Sequence, residues 1–200
     1  MVNASHWDTV HALPAHERSW YQREPEVSLR LIESVATRES AVIDVGAGRS
    51  ILADRLIARG FGDVTVLDLS RVALDALRSR LGHAVAYVNA DVTAWEPTRC
   101  YDAWHDRATF HFLGDGDERR RYAASAAAAL RPGGHAVIGA FSPDGPTACS
   151  GLSVERYSPD ALADAFEDDF TPVAVEREAH VTPGGETQWF TWVVLKRTGS

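Results

Sequence analysis

Three aspartates stand at corresponding places in the sequence, each at or soon after the end of a short apolar run. Asp44 opens the stretch 44–50, which contains two glycines, and Asp68 and Asp91 follow the next two runs. Glycines let a backbone turn tightly and approach a ligand, and an acidic side chain roughly 20 residues further on suits ribose hydroxyls. A carboxylate in such a loop favours a ligand with an ammonium group and opposes a pyrophosphate. The three aspartates therefore predict a nucleoside-type cofactor site.

Alternating strands and helices must position these aspartates. β-rich runs are predicted as strands, and runs with helical spacing of apolar residues as helices. This alternation implies parallel pairing, which places the carboxyl ends of the strands at one edge of the sheet. The aspartates are expected to meet there, although each alone is equally typical of a turn. Strands are predicted at 41–45, 64–67, 84–88, 101–106, 135–141, 173–181 and 187–196, and helices at 25–37, 51–59, 71–81, 117–130 and 158–166.

Length and composition favour a single domain without a separate substrate domain. The chain has 200 residues, of which 45% are hydrophobic, and this is enough for one core. A formal net charge of -8 opposes phosphate backbones, so no nucleic-acid partner is expected. The cysteines Cys100 and Cys149 lie far apart, so neither a disulfide framework nor a metal site is expected. The first thirty residues lack an apolar run typical of a signal peptide or membrane span, so a cytoplasmic location without a membrane partner is expected.

The chain resembles the class I S-adenosylmethionine-dependent methyltransferases in five segments, and the resemblance covers about residues 25 to 197. It implies a single-domain, Rossmann-like α/β fold, with a seven-stranded mainly parallel sheet flanked by helices and a C-terminal antiparallel hairpin. That hairpin agrees with the turn signal at 183–185 and separates the chain from nicotinamide dehydrogenases. One departure is Ser50, which stands where a third glycine is frequent. The segments are 42–50, 64–68, 89–92, 101–106 and 130–141.

The resemblance also implies a cofactor, S-adenosylmethionine, and the residues that bind it. Asp44 and the backbone of Gly46 and Gly48 are expected at the methionine end, Asp68 at the ribose, and Asp91 with Val92 at the adenine. The complete predicted set is Asp44, Gly46, Ala47, Gly48, Ser50, Asp68, Leu69, Asp91, Val92, Asp106, Trp20 and Tyr21.

The acceptor is expected beside the segment 104–112, which leaves the fourth predicted strand. Its Asp-Arg-Ala is similar to the Asp-Arg-Gly of thiopurine-type small-molecule methyltransferases, and its threonine to the Asp-Lys-Gly-Thr of lysine methyltransferases. An amine or oxygen acceptor needs a base, and His111 is the candidate because its ordinary pKa lies near neutrality. The alternative for His111 is a wall residue among phenylalanines. Predicted catalytic residues are His111, Asp106 and Arg107, and predicted substrate contacts are Trp7, Tyr21, His111, Phe141 and Tyr157.

Residues 1–24 are predicted as a lid, and residues 25–200 as the methyltransferase domain. Large rings at Trp7, Trp20 and Tyr21 suit a segment that closes over a bound cofactor and excludes water. The alternative for Trp20 is a packing anchor on the outside of the domain.

These observations predict an enzyme that transfers a methyl group from S-adenosylmethionine to a small molecule, with a thiol or another soft nucleophile favoured. Methyl transfer to such an acceptor needs little acid–base help. The first alternative is a protein lysine methyltransferase, because the acidic net charge suits a basic target. The second is a cofactor-binding protein without catalytic activity. An NAD-dependent oxidoreductase is disfavoured by the position of Asp44.

Overall fold

A seven-stranded sheet organises the computed structural model, which describes residues 3–14 and 18–199. The strands are β1 (Ala41–Val45), β2 (Asp63–Asp68), β3 (Ala86–Asn89), β4 (Tyr101–Arg107), β5 (Leu130–Phe141), β6 (Ala148–Cys149), β7 (Leu152–Ser153), β8 (Phe170–Val181) and β9 (Thr187–Arg197). The helices are α1 (Ala4–Ala12), α2 (Glu26–Val35), α3 (Leu52–Ala58), α4 (Arg71–Leu81), α5 (Gly116–Ala129) and α6 (Pro159–Asp164), with a 3₁₀ turn at Phe110–Phe112. None of these helices is long and apolar enough to cross a membrane.

The strand order in the sheet is β3-β2-β1-β4-β5-β9-β8, and β6 pairs with β7 in a separate small hairpin. Strands β1 to β5 run parallel, whereas β9 lies antiparallel to both β5 and β8. The order reverses between β1 and β4, and this switch point opens a crevice beyond the carboxyl ends of the strands. The structure thus confirms the predicted Rossmann-like sheet with a C-terminal hairpin.

Apolar side chains cover both faces of this sheet. One core cluster contains Trp104 and Phe166, a second contains Leu56 and Val66, and a third contains Phe141. Burying a side chain of this size stabilises the fold by about 1.5–3 kcal/mol. All five residues of β1 are buried, as expected for a central parallel strand. The loop that follows β1 therefore begins from a strand that is packed on both faces.

Serine hydroxyl groups cap the N-termini of two helices. The Ser70 hydroxyl accepts a hydrogen bond from the Ala73 backbone N–H at the start of α4. Ser158 does the same for Ala161 at the start of α6. Such caps stabilise a helix by about 1 kcal/mol. At the other end of α4, Gly82 has φ +56°, a conformation that favours glycine at the end of a helix.

The main local differences from the sequence-based expectation are two boundaries and two elements that were not predicted. The strand β5 begins at Leu130 rather than at residue 135, because Leu130 already pairs with Tyr101 before an irregularity in the register. Helix α6 ends at Asp164 instead of reaching residue 166. Helix α1 and the small β6–β7 hairpin had no counterpart in the sequence-based assignment.

A buried hydrogen-bond network ties helix α5 to strand β4. The Tyr122 hydroxyl accepts from the Trp104 indole N–H at 2.9 Å and donates to the Asp106 carboxylate. Tyr122, Trp104 and Asp106 are all inaccessible to solvent. Removing a member of such a network leaves a buried polar group without its partner.

We expect Tyr122→Phe to lower the free energy of unfolding by about 1–3 kcal/mol, because the Trp104 indole loses its acceptor and Asp106 loses a donor. Denaturant unfolding followed by circular dichroism measures this change. Tyr87→Phe is the matched control: its hydroxyl donates to the Gly82 carbonyl at an exposed position, so a change within about 0.5 kcal/mol is expected. Equal stability of the two variants would show that the network contributes nothing.

Candidate functional site

The loop after β1 turns on two glycines in the left-handed region. Gly46 has φ +62° and Gly48 has φ +54°. A Cβ atom at Gly46 would lie 1.8 Å from the Thr109 hydroxyl oxygen, so only glycine fits where the loop passes the end of β4. The Ala47 N–H donates to the Leu67 carbonyl at 3.1 Å, which ties the loop to β2. The glycine loop is thus held between the ends of β2 and β4, the strands on either side of β1.

Asp68 at the end of β2 bridges the glycine loop and helix α4. One carboxylate oxygen accepts the Gly48 N–H at 2.7 Å, and the other accepts the Ser70 N–H at 2.7 Å. The side chain is buried, and this burial raises the pKa of Asp68 to about 6, against the lowering effect of the two hydrogen bonds. Asp68 therefore titrates closer to neutrality than an ordinary aspartate.

Asp44 in β1 pairs with His105 in β4. Its Oδ1 atom lies 2.7 Å from the His105 Nδ1 atom, and both side chains are almost fully buried. The His105 Nε2 atom has no hydrogen-bond partner among the described residues. Since buried polar atoms are normally paired, this arrangement leaves a polar position for a ligand or a water.

Asp91 follows β3 and shapes its own turn. Its Oδ1 atom accepts hydrogen bonds from the Thr93 N–H at 2.9 Å and from the Thr93 hydroxyl at 2.7 Å. Asp91 therefore has the role in a turn that was the alternative to ligand binding in the sequence analysis. Asp91 nevertheless lines the same cavity as Asp44 and Asp68.

One cavity at the carboxyl ends of β1 to β4 brings most of the predicted residues together. It is bordered by the glycine loop, the three aspartates and the N-terminal segment. Of the predicted residues, the following line it: Asp44, Gly46, Ala47, Gly48, Ser50, Asp68, Leu69, Asp91, Val92, Trp7, Trp20, Tyr21 and Arg107.

Asp106, predicted as a contact of cofactor and acceptor, is not among the residues that line the cavity. Its carboxylate accepts the Thr109 N–H at 2.8 Å and the Phe110 N–H at 3.0 Å, besides the Tyr122 hydroxyl. Complete burial raises the pKa of Asp106 to about 6. These contacts show that Asp106 fixes the turn after β4 from behind.

His111, predicted as the general base, is likewise not among the residues that line the cavity. Its ring packs against Phe112 and Phe141 at centroid distances of 4.5 and 4.6 Å. Burial, together with the positive charge of Arg107, lowers the pKa of His111 to about 3. A base must reach the proton that it removes, and His111 faces the core instead.

Phe141 and Tyr157, predicted as substrate contacts, also lie outside the cavity. Both are buried residues of the core. Phe141 packs against Phe190 at a centroid distance of 4.8 Å, and Tyr157 packs against Phe110 at 5.4 Å. Like His111, both residues pack against other aromatic rings in the core of the domain.

The N-terminal segment covers the glycine loop. Asp8 on α1 accepts hydrogen bonds from the Ser70 hydroxyl at 2.6 Å and from the Val72 N–H at 3.2 Å, which holds α1 against α4. A Cβ atom at Gly48 would lie 2.8 Å from a His11 ring carbon. The Trp7 ring meets Phe112 edge-on at 4.9 Å. Part of the predicted lid, residues 1–2 and 15–17, lies outside the described residues.

Sequence reasoning missed several residues that border the cavity. Arg18 is buried, and its Nε atom has no partner in the described part of the chain. Arg49 lies inside the glycine loop itself, which was a usable signal, and donates to the His11 carbonyl at 2.8 Å. Burial, together with the charges of Arg18 and Arg49, lowers the pKa of His11 to about 4. The other lining residues that were missed include His105, Thr109, Phe112 and Cys149.

Comparison with known proteins finds a family match for part of the chain. Residues 42–134 match the family model described as a methyltransferase domain. The matched stretch runs from β1 into β5 and contains the three aspartates and the turn after β4. No curated protein sequence matches the chain significantly.

Solved methyltransferase structures superimpose on nearly the whole chain. The 1,6-didemethyltoxoflavin N1-methyltransferase of Burkholderia thailandensis, with 1,6-didemethyltoxoflavin and S-adenosylhomocysteine bound, is 23% identical and covers 98% of this chain and 88% of its own, with a TM-score of 0.77. The N-methyltransferase NodS of Bradyrhizobium japonicum WM9, in complex with S-adenosylhomocysteine, is 14% identical, with coverages of 97% and 100% and a TM-score of 0.69.

A third similar structure was reported for the conversion of a disulfide bond into a thioacetal group during echinomycin biosynthesis. It is 24% identical and covers 98% of this chain and 93% of its own, with a TM-score of 0.75. At such identities the likeness shows a shared fold. The chain therefore has the fold of these methyltransferases, and its residues 42–134 match a methyltransferase domain.

Proposed function

We propose that the protein is an S-adenosylmethionine-dependent methyltransferase that acts on a small molecule. The observation that carries this proposal is the row of carboxylates Asp44, Asp68 and Asp91, which lines one cavity around a glycine loop at the switch point of the sheet. Ligands of open α/β sheets bind at this place. The match of the same residues to a methyltransferase domain supports the cofactor choice.

The charges around the cavity fit the amino-acid end of S-adenosylmethionine. Asp44 supplies a buried carboxylate for an ammonium group. Arg18 and Arg49 both line the cavity. Burial is the main cause that lowers the pKa of Arg18, and the positive charge of Arg49 lowers it further. Two neighbouring guanidinium groups favour a carboxylate between them. The site therefore offers both signs of charge that a bound amino acid needs.

The remaining carboxylates fit the nucleoside. Asp68 would hold the ribose hydroxyls, and Asp91 with Val92 would border the adenine. An NAD pyrophosphate fits poorly, because it would approach the buried carboxylates Asp44 and Asp68. This donor set supports S-adenosylmethionine over a dinucleotide.

S-adenosylmethionine supplies an electrophilic methyl group on a sulfonium sulfur. The protein contributes by positioning the acceptor and by excluding water. The rings of Trp7 and Trp20 meet edge-on at a centroid distance of 6.4 Å and cover the cavity from the N-terminal side. Such closure and orientation supply much of the rate acceleration in a simple group transfer.

A soft nucleophile such as a thiol remains the acceptor that the site favours. With His111 outside the cavity, the imidazoles that line it are His11, which belongs to the N-terminal cover, and His105, which is paired with Asp44. A thiolate needs no base, and the positive charge of Arg107 at the end of β4 would favour it over the neutral thiol. The structural relative reported for disulfide-to-thioacetal conversion adds support for sulfur chemistry.

Calorimetric titration with S-adenosylmethionine and S-adenosylhomocysteine tests the cofactor. We expect Asp68→Ala to weaken binding by roughly tenfold to hundredfold, because a charge-assisted hydrogen bond is lost. Asp63→Ala is the control, since Asp63 lies at the opposite end of the same strand and pairs with Arg99 on the surface. Failure of the wild-type protein to bind either ligand would contradict the proposal.

We also expect the affinity for S-adenosylhomocysteine to rise as the pH increases from 5 to 7. The pKa of Asp68 is raised to about 6 by burial, so the free protein holds a proton there at pH 5. Ribose hydroxyls that donate to Asp68 favour its charged form, so binding must release this proton. Titrations in buffers of different ionisation enthalpy measure the release. Asp68→Asn should remove it, and a release that persists in this variant would assign the proton to another group.

A further inference from the structure

Arg107 stands at the acceptor side of the cavity and is separate from the carboxylate row. It is the last residue of β4. In the sheet, β4 lies on one side of β1, while β2 and β3, which carry Asp68 and precede Asp91, lie on the other. A cofactor that extends along the three aspartates therefore runs away from Arg107, and the space beside Arg107 remains for a second molecule.

The guanidinium of Arg107 is buried with part of its hydrogen-bonding capacity unused. Only 9% of the side chain is exposed. One nitrogen donates to the Trp20 carbonyl at 3.1 Å, but Nε and the second terminal nitrogen have no partner among the described residues. Because a buried donor without an acceptor is costly, these two groups point to an acceptor that a ligand supplies.

Glu178 forms an ion pair with Arg107 but accepts no hydrogen bond from it. Its Oε2 atom lies 3.7 Å from the Arg107 Nε atom, which is an ion-pair distance but too long for a hydrogen bond. The two carboxylate oxygens instead accept from the Gln22 amide at 2.8 Å and from the Trp192 indole at 2.9 Å. Glu178 thus holds the guanidinium in place, and its own oxygens are committed to other donors.

Aromatic rings also border the cavity. Trp7, Trp20 and Phe112 line it, and Phe190 lies under the guanidinium with its centroid 4.3 Å from the Arg107 Cζ atom. Trp7 meets Phe112 at a centroid distance of 4.9 Å. Flat apolar walls beside a fixed planar donor suit a flat ligand that carries an oxygen group at its edge.

We infer that the methyl acceptor is a flat aromatic or heteroaromatic molecule with an anionic oxygen group, such as a carboxylate, which Arg107 binds between the rings of Trp20 and Phe112. This inference rests on the proposed function, because it names the acceptor class of the same cavity. Arg107 determines specificity through its unpaired donors: they can bind an anionic oxygen group but offer no acceptor to the ammonium of a lysine side chain, and Glu178 balances the charge of the guanidinium. The inference therefore disfavours a protein lysine acceptor.

Paired probes test the charge preference. We would titrate the wild-type protein, with and without saturating S-adenosylhomocysteine, with quinoline-2-carboxylate and 2-mercaptobenzoate and with their neutral carboxamides. Each carboxylate is expected to bind roughly tenfold or more tightly than its carboxamide, because a charge-assisted bond to a buried guanidinium is stronger than a neutral one. Equal affinities within the pairs, or no binding of either carboxylate at millimolar concentration, would overturn the inference.

Variants assign the preference to Arg107. Arg107→Met should abolish it, Arg107→Lys should retain part of it, and Arg177→Met should leave it unchanged, since Arg177 is half exposed on β8 and pairs with Asp144. Thermal unfolding identifies a variant that fails to fold, in which case the wild-type comparison of carboxylate with carboxamide decides. A preference that survives in folded Arg107→Met would contradict the assignment. Separate titrations with S-adenosylhomocysteine alone show whether the cofactor proposal has failed instead.

Discussion

The architecture of the site depends on the buried carboxylate of Asp68. One of its oxygens holds the Gly48 N–H and the other holds the Ser70 N–H, so the glycine loop and the start of α4 share one anchor. Ser70 in turn caps α4 and donates to Asp8 of the N-terminal helix. Loop, strand, helix and cover are thus joined through consecutive hydrogen bonds. A carboxylate that is buried this deeply must be satisfied by such donors, yet burial still raises its pKa to about 6. Asp68 therefore stabilises the site, and its protonation state can change when a ligand binds.

Different charged groups stand at the two sides of the cavity. Asp44, Asp68 and Asp91 belong to the side of β1 to β3, with Arg49 in the loop between them, while Arg107 stands at the end of β4 beside Glu178, with its remaining donors unpaired among the described residues. A positively charged cofactor and a negatively charged acceptor would each meet the opposite charge. Their reacting atoms would then approach each other near the switch point, where the sheet leaves room between β1 and β4. On this view the protein contributes placement and exclusion of water, and the reactivity comes from the two ligands.

The sheet and the carboxylate row were predictable, because both follow from short-range patterns. Short β-rich runs gave β1, β2 and β4, and the position of each aspartate at or soon after the end of such a run followed from them. The roles of Asp106 and His111 were not predictable in this way. Asp106 faces Tyr122 from α5, and His111 packs against Phe141 from β5, and these partners come from distant parts of the chain. Arg18 and His11 were missed because contacts between distant residues, such as those of Asp8 with Ser70 and of Arg49 with the His11 carbonyl, bring their segment over the glycine loop. A Gly-rich loop can be recognised locally, whereas the side chains that cover it depend on tertiary packing.

A crystal structure of the protein with S-adenosylhomocysteine tests the central claim, that the three strand-end aspartates hold one cofactor. We predict the ribose on Asp68, the amino group near Asp44, the adenine beside Asp91 and Val92, and free space between the sulfur and Arg107. Ligand density outside this cavity, or an empty cavity in crystals grown at saturating ligand, would contradict it.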